Sequence, residues 1–99
     1  MKPRGLAVIH PGEFLAEILG ELSVSQAAFA RATGVSPMRV SHIIAGSRPI
    51  TAELALLFGK ALGQSPEYWL NLQSAYDLVT ARKSMGLQLR KLRPLRQVA

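Results

Sequence analysis

Cysteine is absent from this 99-residue chain, and acidic residues are few, six against twelve lysines and arginines. Without cysteine the chain can form no disulfide framework, no thiol nucleophile and no thiolate metal site, which is compatible with a reducing compartment. No apolar run approaches the roughly 18–20 residues of a membrane-spanning helix, and the apolar stretch after the basic start is too short for a signal peptide. We therefore expect a soluble protein that does not span a membrane.

Groups suited to catalysis are also sparse, since the chain has only two histidines, His10 and His42. It contains no glycine-rich phosphate loop after a strand, no cluster of metal ligands and no nucleophile spaced to meet a base. We expect a protein that is not an enzyme and that holds neither a metal ion nor a cofactor. His10 is expected to cap or pack at the start of the first helix.

Helix start and stop signals recur along the chain and predict an all-α fold. Ser or Thr precedes several apolar helical patterns, often with Pro at the first helical position and Gly after the last. These signals predict an N-terminal arm at about 1–9, a domain at 10–84 and a C-terminal tail at 85–99. The five predicted helices span about 11–22, 26–33, 37–45, 52–62 and 66–83. A hydrophobic fraction of 48% suffices for one small core.

The stretch 26–50 carries the most specific pattern, QAAFARATGVSPMRVSHIIAGSRPI. Gly34 ends one short helix, Ser36 and Pro37 begin the next, and Gly46 ends that one. Apolar residues share one side of the second helix, at Val40, Ile43 and Ile44. Two short helices joined in this way predict a helix-turn-helix, whose second helix enters the major groove of DNA.

Basic residues are concentrated at the C-terminal end. Residues 82–99 hold six of the twelve basic residues and no acid, so residues 1–81 carry no net charge. Such a tail can bind phosphates whatever the base sequence. The alternatives are a disordered, solubilising end and a basic, apolar segment at a membrane surface. Pro94 argues against one continuous helix through the tail.

Two further surfaces are expected to meet other proteins. Glu13, Glu17 and Glu21 recur every fourth residue and line one face of the first helix, which is either solvated or in contact with a basic partner. On the fifth helix, three apolar residues fall outside the predicted core stripe and are candidates for a homodimer contact. They are Leu70, Leu78 and Ala81.

The helix-turn-helix resembles that of phage repressors, Cro proteins and the Xre group of bacterial regulators. The shared motif stands here, within about residues 12–65, as Ser25-Gln26, Ala30, Gly34-Val35-Ser36, Val40-Ser41 and Gly46-Ser47-Arg48. The resemblance implies base-reading positions at Pro37, Met38, Arg39 and His42. Arg39 is the best candidate for a specific contact, because guanidinium pairs bidentately with guanine. Contacts to DNA phosphate are expected from Gln26, Ser36, Ser41, Ser47 and Arg48.

Three stretches narrow the resemblance to HigA-type antitoxins, a compact branch of the Xre group. They are His10-Pro11-Gly12-Glu13-Phe14-Leu15, Gly46-Ser47-Arg48-Pro49-Ile50-Thr51, and Ser65-Pro66-Glu67-Tyr68-Trp69-Leu70-Asn71-Leu72-Gln73 with Tyr76-Asp77-Leu78. This resemblance implies a cytoplasmic homodimer that binds double-stranded operator DNA, represses its own operon and neutralises a HigB-type toxin, an mRNA-cleaving ribonuclease. Such toxins are generally basic, which fits the acidic face of the first helix. Ala45 departs from the family, where relatives often have Asn, and the family offers no shared role for the basic tail.

Two other functions stay open at this point. A stand-alone Xre-type transcriptional regulator would have the same DNA-binding residues and no toxin partner. A protein-only adaptor would keep the helix-turn-helix as a vestige. A toxin-like reading frame beside the gene separates the first two functions, and salt-dependent DNA binding separates both from the third.

Overall fold

The structure is a computed structural model that describes residues 9–95, in which five helices and no strand occur. The helices are α1 (Pro11–Leu22), α2 (Gln26–Thr33), α3 (Pro37–Ile44), α4 (Ala52–Leu62) and α5 (Pro66–Lys91). The predicted all-α, five-helix class is therefore confirmed over this range. The predicted arm, apart from Ile9, lies outside the described residues, as do residues 96–99 of the predicted tail.

Each helix begins at a side chain that accepts a hydrogen bond from a backbone N–H of the first turn. These N-caps are His10, Ser25, Ser36, Thr51 and Ser65, in chain order. A cap of this kind contributes about 1 kcal/mol to the stability of a helix. The starts of the helices are therefore set by local sequence, and all five coincide with the predicted starts.

The core lies where α4 and the first half of α5 close over α1, α2 and α3. The ring of Phe58 on α4 lies 5.0 Å from that of Phe29 on α2 and 5.8 Å from that of Trp69 on α5, between centroids. Phe58 and Trp69 are completely buried, and each stabilises the fold by roughly 2–3 kcal/mol through the apolar surface it removes from water. Other core residues include Leu15, Leu19, Val40, Ile43, Ile50 and Leu54.

Two helices end elsewhere than predicted. α3 ends at Ile44, and the chain then turns away through Gly46, whose φ is 84°. α5 continues to Lys91 rather than to 83, so the predicted tail at 85–99 begins inside a helix. A glycine within a helix costs only about 1 kcal/mol, so Gly86 does not stop α5, whereas Pro94 cannot continue it.

Contrary to the prediction, Leu70 does not lie on the outer surface of α5. It is half-buried and packs against the core. The start of α5 contacts both α4 and α1, so its buried arc is wider than a single stripe. Leu78 and Ala81 are exposed, as expected of residues outside the core. No helix within residues 9–95 is long and apolar enough to cross a membrane.

Candidate nucleic-acid interface

α3 is anchored by one side and presents the other to solvent. Val40 and Ile43 are completely buried, whereas Met38 is 68% exposed. Among the predicted base-reading residues, Pro37, Met38 and Arg39 are exposed and His42 is half-buried. The N-terminal half of α3 is thus available to a ligand without any rearrangement of the core.

The turn before α3 fixes the direction in which that helix leaves the core. Gly34 adopts the left-handed conformation (φ 76°) that ends α2. The Thr33 hydroxyl donates to the Phe29 carbonyl at 2.8 Å, and the Ser36 Oγ accepts from the Arg39 N–H at 3.2 Å. The start of α3 is therefore set by hydrogen bonds within residues 29–39.

One open depression on the surface collects the predicted DNA-contacting residues. Its lining consists of Ser36, Met38, Arg39, His42 and Arg48. The structure thus brings three predicted base-reading side chains next to two predicted phosphate contacts, one before α3 and one after it. We call these five residues the reading surface.

The remaining predicted DNA contacts lie outside this depression. Gln26, Pro37 and Ser41 are exposed on α2 and α3. Ser47 donates both its backbone N–H and its hydroxyl to the His42 carbonyl, at 2.9 and 3.1 Å. Because its hydroxyl proton is used in this bond, the Ser47 side chain holds the chain against the end of α3 and so positions Arg48.

The stretch of chain that contains the reading surface carries charge of one sign. Residues 22–52 contain Arg31, Arg39 and Arg48 and no acidic residue. Within residues 9–95, no hydrogen bond or ion pair engages the guanidinium group of Arg39. Arg39 and Arg48 line one depression that contains no acidic residue, while Glu53 lines the neighbouring depression, which Ser36 and Arg39 also line. Two exposed guanidinium groups in one depression favour a ligand that carries phosphates.

Gln73 is a positioning residue to which the sequence analysis gave no role. It is 6% exposed, and its Oε1 accepts from the Ile50 N–H at 2.7 Å while its Nε2 donates to Asp77 Oδ1 at 2.9 Å. These bonds tie the segment that follows the reading surface to α5. The sequence does contain a signal for this role. Gln73 comes four positions after the buried Trp69, so both residues lie on the same face of α5.

His10 lies where α1, α5 and the segment after α3 meet. Its Nδ1 accepts from the Gly12 N–H at 2.9 Å, and its ring meets that of Tyr76 edge-on at 4.8 Å, which confirms the expected structural role. Burial lowers the pKa of His10 below the ordinary 6.5, although Asp77, Glu13 and the Arg48 backbone each act to raise it. The imidazole is therefore held in the neutral form that can cap α1.

Gly12 allows α1 and α3 to touch through their backbones. A Cβ atom at this position would overlap the carbonyl oxygen of Ile43, so no side chain fits there. Together, His10, Gly12 and Gln73 form what we call the joint, which holds the end of α3 and residues 46–50 in place.

The predicted acidic face is exposed on α1, at Glu13, Glu17 and Glu21. Within residues 9–95, no group of three His, Cys, Asp or Glu side chains is arranged to hold a metal ion.

Comparison with known proteins agrees with this geometry. Residues 15–69 match the family described as helix-turn-helix. Antitoxin HigA-1 of Vibrio cholerae is 38% identical over 88 residues, which make up 88% of this chain and 83% of that protein. The Pseudomonas aeruginosa antitoxin HigA, whose structure was determined with the higBA promoter, is 41% identical, with a TM-score of 0.86 over 91% of this chain and 100% of that one.

A second solved structure extends the likeness beyond the helix-turn-helix. An addiction-module antidote protein of the HigA family from Coxiella burnetii is 43% identical, with a TM-score of 0.86 over 90% of this chain and 99% of that one. Both likenesses include α1 and α5 as well as α2 and α3. The chain therefore belongs to the helix-turn-helix family of DNA-binding regulators, within its branch of HigA antitoxins.

Proposed function

We propose that this chain is an antitoxin that binds operator DNA as a homodimer, represses its own operon and neutralises a HigB-type toxin in the cytoplasm. The observation that carries the DNA-binding part is the reading surface, where exposed Met38 and Arg39 lie beside Arg48 in a depression whose lining contains no acidic residue. The Pseudomonas aeruginosa relative, determined with the promoter of its own operon, supports autorepression. We assign no catalytic step to the chain.

The side chains of the reading surface divide into two roles. Arg39 pairs with O6 and N7 of a guanine, His42 bonds a neighbouring base edge, and Met38, with Pro37 beside it, packs on thymine methyl groups. The phosphate contacts come from Gln26 and Ser36 at helix starts, from Ser41 within α3 and from Arg48 just after it. The predicted contact of Ser47 is not included, because both its N–H and its hydroxyl donate to the His42 carbonyl. A dimer presents two copies of α3 to successive major grooves, which doubles the number of bases read.

The toxin contact is assigned to the acidic face of α1, formed by Glu13, Glu17 and Glu21. These side chains are exposed and belong to a different helix from the reading surface. A basic toxin would be attracted to them over the range of a Debye length. Replacing Glu13 and Glu21 with Lys is expected to slow toxin association at least tenfold at low salt. A Glu67→Lys variant, which changes an exposed acid on α5, is the matched control.

The experiment that tests the function is co-expression of the tagged chain with the small reading frame beside its gene, followed by footprinting of its own promoter. We expect a stable complex that relieves growth arrest and a protected stretch of promoter DNA. Protection of the promoter without a stable complex would indicate a stand-alone regulator that has no toxin partner. A complex without protection would mean that the chain is not a repressor, whatever its helix-turn-helix suggests.

A further inference from the structure

The depression that neighbours the reading surface is lined on one side by the start of α4. It encloses about 570 Å³, and Ser36 and Arg39 belong to its lining as well as to the reading surface. Within residues 9–95, Glu53 is the only acid that lines either depression. The best candidate for reading a base therefore borders the same small space as a carboxylate.

Local sequence fixes the backbone beneath both charges. Arg39 is the third residue of α3, and its N–H donates to the Oγ of the cap Ser36. Glu53 is the second residue of α4, whose cap is Thr51, and the partial positive charge at this helix start stabilises its ionised carboxylate. Both side chains are exposed, so rotation of the side chains alone brings the two charged groups together or apart.

The apolar wall of this depression favours an interaction between the two charges. A space of this volume is on the order of 10 Å across, which is about one Debye length at 0.1 M salt. The wall includes Leu54, Leu56 and Leu57, and attraction beside an apolar wall is weakened less than in bulk water. The described part of the chain shows no ion pair between Arg39 and Glu53, so the guanidinium stays available to DNA.

We propose that Glu53 sets how strongly Arg39 discriminates the operator from other DNA. A guanidinium group has five N–H donors, of which two pair with O6 and N7 of a guanine. While Arg39 reads a guanine, Glu53 accepts from donors that remain and holds the guanidinium in the plane of the base. The inference rests on the proposed binding of operator DNA and names a further residue that determines its specificity.

The same carboxylate opposes binding to DNA that lacks the matching guanine. Nonspecific binding depends on contacts between basic side chains and phosphates. An Arg39 side chain that turns to a phosphate gives up the attraction of Glu53 and leaves the carboxylate close to the negative backbone. Glu53 thus stabilises the complex with the operator and destabilises complexes with other sequences, and specificity is the difference between the two.

Glu53→Gln tests this role, because it removes the charge and keeps the shape of the side chain. Binding of the full-length chain is measured at one fixed salt concentration, against the operator and against an unrelated duplex of equal length. We expect the affinity for the unrelated duplex to rise and the affinity for the operator to stay unchanged or fall, so that their ratio falls about fivefold or more. Glu67→Gln is the matched control, since Glu67 is also the second residue of its helix and loses the same interaction with a helix start. It should leave the ratio unchanged.

The same change in an Arg39→Ala background separates this role from simple repulsion of DNA. There Glu53→Gln is expected to leave the ratio of the two affinities unchanged, because no guanidinium remains to be held. A fall of equal size without Arg39, or an equal rise on both duplexes with it, would overturn the proposal and make Glu53 a general repellent of DNA. Unchanged affinity for both duplexes would overturn it by placing Glu53 away from the bound DNA. A wild-type chain that binds the two duplexes equally would refute the proposed operator binding, and this inference with it.

Discussion

The joint and the reading surface meet at residues 46–50 but are built in opposite ways. In the joint, His10, Gly12 and Gln73 are buried, and each of them makes a contact with a backbone group of another residue. On the reading surface, Met38 and Arg39 are exposed and have no side-chain partner in the described part of the chain. Changes in the joint should therefore lower stability, and changes on the reading surface should lower DNA affinity alone.

The largest effect is expected from Gly12→Ala in the joint. The new Cβ would overlap the Ile43 carbonyl oxygen, and since both sides of the contact are backbone, α1 and α3 must move apart. We expect the free energy of unfolding to fall by about 3 kcal/mol, measured by urea denaturation. Gly20→Ala is the matched control, because a Cβ there meets nothing within 4 Å and should raise stability by about 0.5–1 kcal/mol. Equal effects of the two changes would refute the close contact.

Arg39→Ala is the corresponding test of the reading surface. Loss of a bidentate contact to guanine should weaken operator binding by about 1–3 kcal/mol, with the urea midpoint unchanged. Binding is measured by titration against the operator and against an unrelated duplex of the same length. A similar loss on both duplexes would make Arg39 a phosphate contact instead of a base contact.

Gln73→Ala should lower stability by about 1–3 kcal/mol, because the buried Ile50 N–H loses its acceptor. Asn71→Ala, at an exposed position on the same helix, should change stability by less than about 0.5 kcal/mol. If Gln73→Ala instead reduced operator affinity in the folded protein without reducing stability, the joint would act on DNA binding and not on stability.

The smallest expected effect is the contribution of His10 to the pH dependence of stability. Its pKa is lowered in the folded state, so the unfolded chain binds the proton more tightly. The contribution to stability is full above the ordinary pKa of 6.5 and is lost as the pH falls from there towards the lower folded-state pKa. The urea midpoint should therefore decrease as the pH is lowered across this range. His10→Asn keeps a capping acceptor but does not titrate, so its midpoint should decrease less over the same range. An unchanged profile in the variant would assign the dependence to other groups.

The same contrast explains which features could be predicted from sequence. Helix starts depend on a cap and the three residues after it, so Ser25, Ser36 and Ser65 located them correctly. The joint depends on contacts between distant residues, such as Ile50 with Gln73. The local pattern places a polar residue on the buried face of α5 but does not identify the group to which it bonds. The predicted end of α5 is wrong because the second half of the helix carries no apolar residues that face the core. The glycine in that half weakens the helix without ending it.

The contact between Gly12 and Ile43 also bears on how such repressors diversify. It uses a main-chain oxygen and a residue without a side chain, and the inward side of α3 consists of the buried Val40 and Ile43 and the half-buried Ile44. Residues on the outward side of α3 can therefore be replaced without changing the orientation in which this helix meets DNA. Copies of this scaffold within one genome can acquire different operators through a few substitutions and so avoid silencing one another.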